Sequence, residues 1–309
     1  MPILRIGSRG SPLALVQARE VQNRLAAAAG VDAARIAIEV VRTTGDLVQD
    51  RPLADAGGKG LFTKEIEEAL LAGDIDVAVH SAKDVPTVLP AGLALAGFLP
   101  RDDPRDAFIS HKAKTLQELP PGAVVGTASP RRQALVKRLR PDVKVVTLRG
   151  NVETRLHKLE AGAVDATLLA VAGLKRLGLL AAATAILEPE AFVPAVGQGA
   201  IAVETRADDA KTRALVDAIN DGDTATALAA ERAFLAVLDG SCRTPIGGHA
   251  QIGDRKVGGG DVRFRGMIVK PDGSEAFEVL RAGRREDAAS LGADAGHELR
   301  ERASADFFV

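Results

Sequence analysis

Four stretches of this chain carry side chains whose types and spacing could do chemistry. The segment Gly57–Pro86, GGKGLFTKEIEEALLAGDIDVAVHSAKDVP, places Lys59 in a glycine-hinged loop and ends in Ser81, Lys83 and Asp84. An Asp beside a Lys after an apolar strand is either an ion pair that tidies a turn or a carboxylate set for proton transfer and for stabilising a cation. Ser11-Pro12 and Ser129-Pro130 each join an N-cap hydroxyl to a proline at the first helical position. Such a helix start offers free N–H groups and the positive end of a dipole, which suit an anion. Arg9 precedes the first, and Arg131 and Arg132 open the second. Arg149, Arg155 and Arg176 add guanidiniums, the group matched to carboxylates and phosphates. Any one of these is equally a plain cap or a solvated cation, but their recurrence in two parts of the chain argues for anion binding. Cys242 lies in the tight polar loop GSCRTP, with Arg243 beside it to favour the thiolate. A lone cysteine is otherwise a small buried hydrophobe.

Composition removes several alternatives. The 309 residues hold 40 basic and 41 acidic side chains, a net charge of -1, so no global field attracts nucleic acid or an anionic membrane. Trp and Tyr are absent, which leaves few stacking platforms for single strands. One cysteine excludes an intrachain disulfide and a multi-cysteine zinc site, and the five histidines have no metal-ligand spacing, so no metal is expected. No apolar run is long enough to span a bilayer. The N-terminal MPILRIGSRGSP lacks the apolar core of a secretion signal. The expectation is a soluble, cytoplasmic protein, and a monomer, since no long exposed apolar stripe stands out.

The elements that must position these residues follow from periodicity. Leu4–Ile6, Arg35–Arg42, Ile75–Val79 and Leu93–Leu99 read as strands, and Ser11 to about Ala28 and Leu61–Ala72 as helices. Thr43–Gly58 is polar and aperiodic, as a covering loop would be. Past Pro100–Pro104 the plan repeats. Ala123–Val125 runs into Gly126-Thr127-Ala128-Ser129-Pro130 and a helix, Arg131–Leu139. Strand Val143–Leu148 leads through Arg149-Gly150-Asn151 into helix Val152–Glu160, and residues 161–169 echo 72–80. Leu174–Leu180 and Ala181–Leu187 are expected to be helical. Ala200–Glu204 is a returning strand and Ala210–Ile219 a helix. Beyond Asn220–Asp223 come helix Thr226–Leu238, strands within 249–280 and a closing helix, Glu286–Ala303. The fold expected is α/β: two similar doubly wound lobes, periplasmic-binding-protein-like, with a cleft, plus a small C-terminal α+β domain. Residues 1–99 with 195–219 would form one lobe, 100–194 the other, and 220–309 the third domain.

The segments RIGSRGSPLALVQA, GGKGLFTKEIEEALLAGDIDVAVHSAKDVP, GTASPRRQA, LRGNVETRLHKL, AVGQGA and GSCRTPIG, in this order, resemble the porphobilinogen deaminase (hydroxymethylbilane synthase) family over nearly the whole chain. The resemblance implies a transferase of tetrapyrrole biosynthesis. It joins four porphobilinogen units head to tail, releases ammonia, and builds on a dipyrromethane cofactor held as a thioether, here by Cys242. It further implies that Asp84 is catalytic: a fixed carboxylate would stabilise the cationic azafulvene left when ammonia departs. Lys83 would hold a cofactor carboxylate. Arg9 and Ser11 would bind substrate carboxylates. Ser81, Thr127, Ser129, Arg131, Arg132, Arg149, Gly150, Asn151, Arg155 and Arg176 would serve cofactor and growing chain. Lys59 with residues 43–58 would cover the site, and Phe62 would either meet a pyrrole ring or sit in the core.

Two other readings stay open on the residues themselves. A two-lobed binding module for a small anion explains the paired helix starts but not Cys242; it would bind porphobilinogen without releasing ammonia. A phosphoribosyl transferase would need metal-binding carboxylates in a phosphate loop and a requirement for magnesium.

Overall fold

The structure, a computed structural model, describes residues 2–47, 60–238, 244–253 and 261–308. Lys59, Cys242 and residues 48–58 of the expected covering loop lie outside the described residues. In chain order the elements are β1 (Leu4–Ser8), α1 (Pro12–Ala29), β2 (Ile36–Val40), α2 (Thr44–Leu47), α3 (Lys64–Ala72), β3 (Val77–Ser81), β4 (Leu93–Phe98), β5 (Asp106–Ser110), β6 (Val124–Gly126), α4 (Pro130–Leu139), β7 (Lys144–Val146), α5 (Val152–Glu160), β8 (Ala166–Ala170), α6 (Val171–Arg176), β9 (Ala185–Leu187), β10 (Ile201–Arg206), α7 (Ala210–Asp217), α8 (Gly222–Val237), β11 (Ile246–Ile252), β12 (Val262–Val269), β13 (Ala276–Gly283) and α9 (Ala288–Arg302). The chain divides into two compact units, residues 1–102 with 199–225, and residues 103–198 with 226–309.

The first unit is built on a five-stranded sheet of order β2-β1-β3-β10-β4, in which β1 runs parallel to β2 and β3, while β10 is antiparallel to β3 and β4. The second unit contains a sheet of order β7-β6-β8-β5-β9 with the same directions, β5 being the antiparallel strand. In each sheet the odd strand is the first to follow a chain crossing. The likeness extends to single bonds. Gly73 and Gly162 both take left-handed φ, 78° and 74°, just past α3 and α5. Asp76 accepts the Arg5 backbone N–H at 2.9 Å, and Asp165, its counterpart, accepts that of Val124 at 2.7 Å. The short sequence echo therefore marks two sheets wound alike.

Helices cover both faces of the first sheet. Ile6, Val77, Val79 and Val203 pack with Ala18, Val21 and Leu25 of α1 on one side. Ala78 packs with Ile66 and Leu70 of α3 on the other. In the second unit the antiparallel sheet β11-β12-β13 receives α8 and α9 over Phe234, Phe264, Ile268, Ala295 and Leu299. Its Met267 and Val269 belong to the core under α4, so this α+β part shares a core with the second wound sheet.

Three expectations are corrected. Ala181–Leu187 is not helical: Leu180–Ala182 is one 3₁₀ turn, and Ala185–Leu187 pairs with Asp106–Phe108 as β9. An Ala-rich run has high helical propensity, but the open edge of β5 decides its state. The helix expected over Leu174–Leu180 spans Val171–Arg176. Thr44–Leu47, expected as loop, forms one helical turn, with the Gly45 N–H bonded to the Leu61 carbonyl at 2.8 Å.

The α8–α9 contact is close enough to test. A Cβ added at Gly292 would lie 1.9 Å from the Ala230 carbonyl oxygen, whereas one at Gly222 would meet nothing within 4 Å. Gly292→Ala is therefore expected to cost about 1–3 kcal/mol through overpacking, and Gly222→Ala under about 0.5 kcal/mol, read from urea unfolding midpoints.

Candidate active site

In each sheet three adjacent strands pair in parallel, and the chemistry-bearing residues lie past their carboxyl ends. In the first unit β1 is followed by Arg9 and Ser11, and β3 by Ala82–Asp84, a 3₁₀ turn that carries Lys83 and Asp84 on the exposed surface. The N-cap Ser11 accepts the Ala14 N–H at 3.3 Å. The Arg9 guanidinium stacks 4.1 Å over the Phe62 ring. Phe62 sits just before α3, against Gly45, where a Cβ would come within 2.4 Å of the ring. Phe62 thus has a cation on it and joins the turn after β1 to the start of α3.

Ser81 is half-buried at the end of β3. Its hydroxyl exchanges hydrogen bonds with the Gln17 side-chain amide, at 2.9 and 3.2 Å. Gln17 is buried, on the α1 stripe otherwise formed by Ala18, Val21 and Leu25. A polar residue on an apolar stripe was the sequence signal that could have revealed it.

In the second unit the ends of β6, β7 and β8 gather Thr127 and Ser129, Arg149 to Asn151, and α6 with Arg176. The buried Thr127 accepts the Ser129 N–H at 3.2 Å, and Ser129 caps α4 by accepting the Arg132 N–H at 3.4 Å. Asn151 caps α5, accepting the Thr154 N–H at 2.8 Å. Gly150 takes a φ of 124°, which favours glycine, and its carbonyl accepts Arg155 Nε–H at 2.8 Å. Arg149 and Arg155 are half-buried on this edge, and so is Arg176 at the end of α6.

Arg131 and Arg132 turn inward. Both are 5% exposed, and both meet Asp106, which is fully buried, at 2.8 and 2.6 Å. Arg131 also donates to the Val193 carbonyl at 2.8 Å and Arg132 to that of Leu168 at 2.9 Å. Gln198 donates to the Asp106 carboxylate at 3.1 Å. Burial alone would raise the Asp106 pKa; the two guanidiniums outweigh it and hold the carboxyl at about 2. The cluster ties the start of α4 to β5, β8 and the crossing at Gln198. Asp106, an acid opening the apolar strand DAFIS, went unnoticed in the sequence.

The donor set on these edges is guanidinium, ammonium, hydroxyl and helix N-terminal amide. That set fits a carboxylate-bearing ligand such as a dipyrromethane with its acetates and propionates. Among the described residues no group of three or more His, Cys, Asp or Glu side chains could hold a metal ion.

Two family models match the chain: "Porphobilinogen deaminase, dipyromethane cofactor binding domain" over residues 4–214 and "Porphobilinogen deaminase, C-terminal domain" over residues 225–301. The chain belongs to the porphobilinogen deaminase family. It is 64% identical to the porphobilinogen deaminase of Nitrobacter winogradskyi over 305 residues, 98% of this chain and 95% of that one. It is 56% identical to that of Paracoccus denitrificans over 306 residues, 99% of this chain and 96% of that one. Among solved structures it is similar to the methionine-binding protein MetQ, at 17% identity and a TM-score of 0.45, covering 70% of this chain and 89% of that one. The matched cofactor binding domain spans the described strand-end residues, from Arg9 to Arg176.

The Asp106 cluster yields a prediction. Asp106→Asn leaves two buried guanidiniums without their anion and should cost about 3–5 kcal/mol in denaturant unfolding. Because the folded pKa is depressed, the stability is present above the ordinary carboxyl pKa near 4 and is lost as pH falls toward 2. The wild type should lose about 2 kcal/mol from this group over that window, and Asp106→Asn should lack that component.

Proposed function

We propose that this chain assembles hydroxymethylbilane from four porphobilinogen units, releasing ammonia, with the catalytic carboxylate supplied by Asp84. The observation that carries the reading is the exposed Lys83–Asp84 turn at the carboxyl end of β3, on the same sheet edge as Arg9 and Ser11, within a chain matched end to end by this family. When bound, the dipyrromethane supplies the primer on which the chain of pyrroles grows.

The residues divide the work as follows. Arg9 and the α1 N-terminus with Ser11 bind the acetate and propionate of the incoming porphobilinogen. Asp84 faces the aminomethyl carbon as ammonia leaves and holds the resulting cation by charge, so its contribution grows toward the transition state. It also takes the proton lost from the pyrrole α-carbon when the new bond forms. Lys83 binds a cofactor carboxylate. Thr127, Ser129, Arg149, Gly150, Asn151, Arg155 and Arg176 hold cofactor and chain carboxylates at the edge of the second sheet. Arg131 and Arg132 serve the same ligands from a buried base, their charge partly balanced by Asp106. Lys59, with residues 43–58, covers the site, and Cys242 is the thioether anchor.

We also infer a cytoplasmic monomer whose small-molecule partner is porphobilinogen, with no nucleic acid or membrane partner. No helix among the described residues is long and apolar enough to cross a membrane. A single cysteine suits a reducing compartment. The exposed large hydrophobics among the described residues, such as Val40, Val88 and Leu280, are scattered through the chain.

Intact mass spectrometry tests the anchor. The native protein should exceed its chain mass by two pyrrole units, and Cys242→Ser should show the bare chain and no turnover. A fully active Cys242→Ser enzyme would refute the assignment. Asp84→Ala should keep the added mass and lose about 10²–10³-fold in kcat, the scale of losing one aimed electrostatic group. Near-normal turnover in that variant would remove Asp84 from the chemistry.

A further inference from the structure

Beneath the Lys83–Asp84 turn lies a set of buried ionisable groups that the reaction does not touch. His80, the penultimate residue of β3, is bonded through Nε2 to Glu204 Oε2 at 3.1 Å, with side chains 3% and 0% exposed. Glu204 is on β10, where the antiparallel register sets His80 opposite Ala202 and Glu204 opposite Ala78, so the two side chains share a face. Glu67 of α3 is buried over the same face. Burial raises its pKa, the Thr63 hydroxyl opposes the rise, the charge of Glu204 adds to it, and His80 opposes it. Thr63, at the N-cap of α3, is also buried. Glu204 Oε1 has no hydrogen-bond partner among the described residues. Two strand positions beyond Glu204, Arg206 donates to the Leu70 and Ile75 carbonyls and pairs with Asp76 and Asp209.

The second sheet supplies an internal control. Counting from Gly73 and Gly162, Glu67 corresponds to Leu156 and His80 to Leu169. Since Ser81 opposes Ile201 and Ala170 opposes Asp106, Glu204 corresponds to Ile109. Leu156, Leu169 and Ile109 all lie in one hydrophobic cluster. The same fold thus accepts apolar side chains at all three positions. A dry cluster of ionisable side chains is generally no more stable than a packed apolar one of similar volume. Here it stands only in the sheet whose strand leads to Asp84.

We propose that Glu67, His80 and Glu204 are positioning residues for Asp84. The end of β3 is held on one face by Gln17 through Ser81, and on the other by Glu204 through His80, with Glu67 buried against that face. Four residues after His80 comes Asp84, so the direction of that turn is set by polar bonds of fixed geometry instead of by adaptable packing. The Ala82 N–H, bonded to the Ala200 carbonyl at 3.0 Å, and the Gly60–Thr63 turn, which comes near Pro86, sit on either side of the same segment. This inference rests on the catalytic role proposed for Asp84.

The test gives the first sheet the apolar set of the second, as the triple variant Glu67→Leu, His80→Leu, Glu204→Ile of the full chain with its cofactor attached. The expected result is a folded enzyme with Tm unchanged or raised and KM within about twofold, while kcat falls about 10–100-fold, the scale of a misplacement of about 1 Å. A purely structural role would move Tm and leave kcat alone. A triple variant with wild-type kcat overturns the proposal. Should the triple variant not fold, His80→Gln and Glu204→Gln, which keep volume, are measured separately, and kcat within twofold of wild type in both overturns it equally. An inactive Asp84→Ala beside a fully active triple variant would remove only this inference, whereas an active Asp84→Ala enzyme would remove the role of Asp84 itself.

Discussion

Parallel pairing of β1 with β2 and β3, and of β6 with β7 and β8, is the constraint from which the site descends. Parallel strands need a crossover, and each crossover here is a helix or a long polar segment that restarts its strand at the opposite edge. The carboxyl ends of these parallel strands therefore fall on one side of each sheet. The residues just past those ends escape the ladder and are free to carry function, which is where open α/β sheets place their ligands. Arg9, Ser11, Lys83 and Asp84 in one unit, and Thr127, Ser129, Arg149 and Asn151 in the other, all lie within five residues past such ends. Were one of these strands reversed, its functional residues would leave that edge.

Charge is distributed to match. A protein of net charge -1 has no long-range attraction for a ligand rich in carboxylates. Affinity must then come from local donors, and these are concentrated at helix starts, where N–H groups and the dipole add to the side chains. The cost is a need to hold cations close together. In the second unit this is met by burying one acid, Asp106, between Arg131 and Arg132. The acid lowers the repulsion between two neighbouring guanidiniums and fixes the first turn of α4 at the same time.

The winding was legible because it is written twice. Ser-Pro after a glycine turn, and Ala-Gly-x-x-Asp before an apolar strand, occur in the same order in both units, and the hydrogen bonds of Asp76 and Asp165 show why the aspartates recur. What escaped was decided by partners distant in sequence. The state of Ala185–Leu187 depends on the free edge of β5, about 80 residues upstream, not on its own propensity. Gln17 and His80 are single polar residues within apolar runs, and Asp106 and Glu204 lie at the ends of such runs. In a single sequence such a residue looks like a tolerated surface substitution until the fold shows that its surroundings are dry. The inward turn of Arg131 and Arg132 was hidden for the same reason, since nothing local announces that their counter-ion lies on β5.

The two sheets also show how one fold separates two tasks. Aligned by their echoes, Lys83 and Asp84 correspond to Ala172 and Gly173, both buried in the short helix α6. The second sheet therefore presents hydroxyls, amides and guanidiniums past its strand ends, with no acid where the first has Asp84. A carboxylate there would repel the acetates and propionates that those donors are suited to hold. In the first sheet the acid past β3 has a cation next to it in the chain, Lys83, and Arg9 follows the neighbouring strand β1. Duplicated winding supplies the edge twice, and the two edges differ in the charge carried just past the central strand, acid and cation in one and apolar residues in the other.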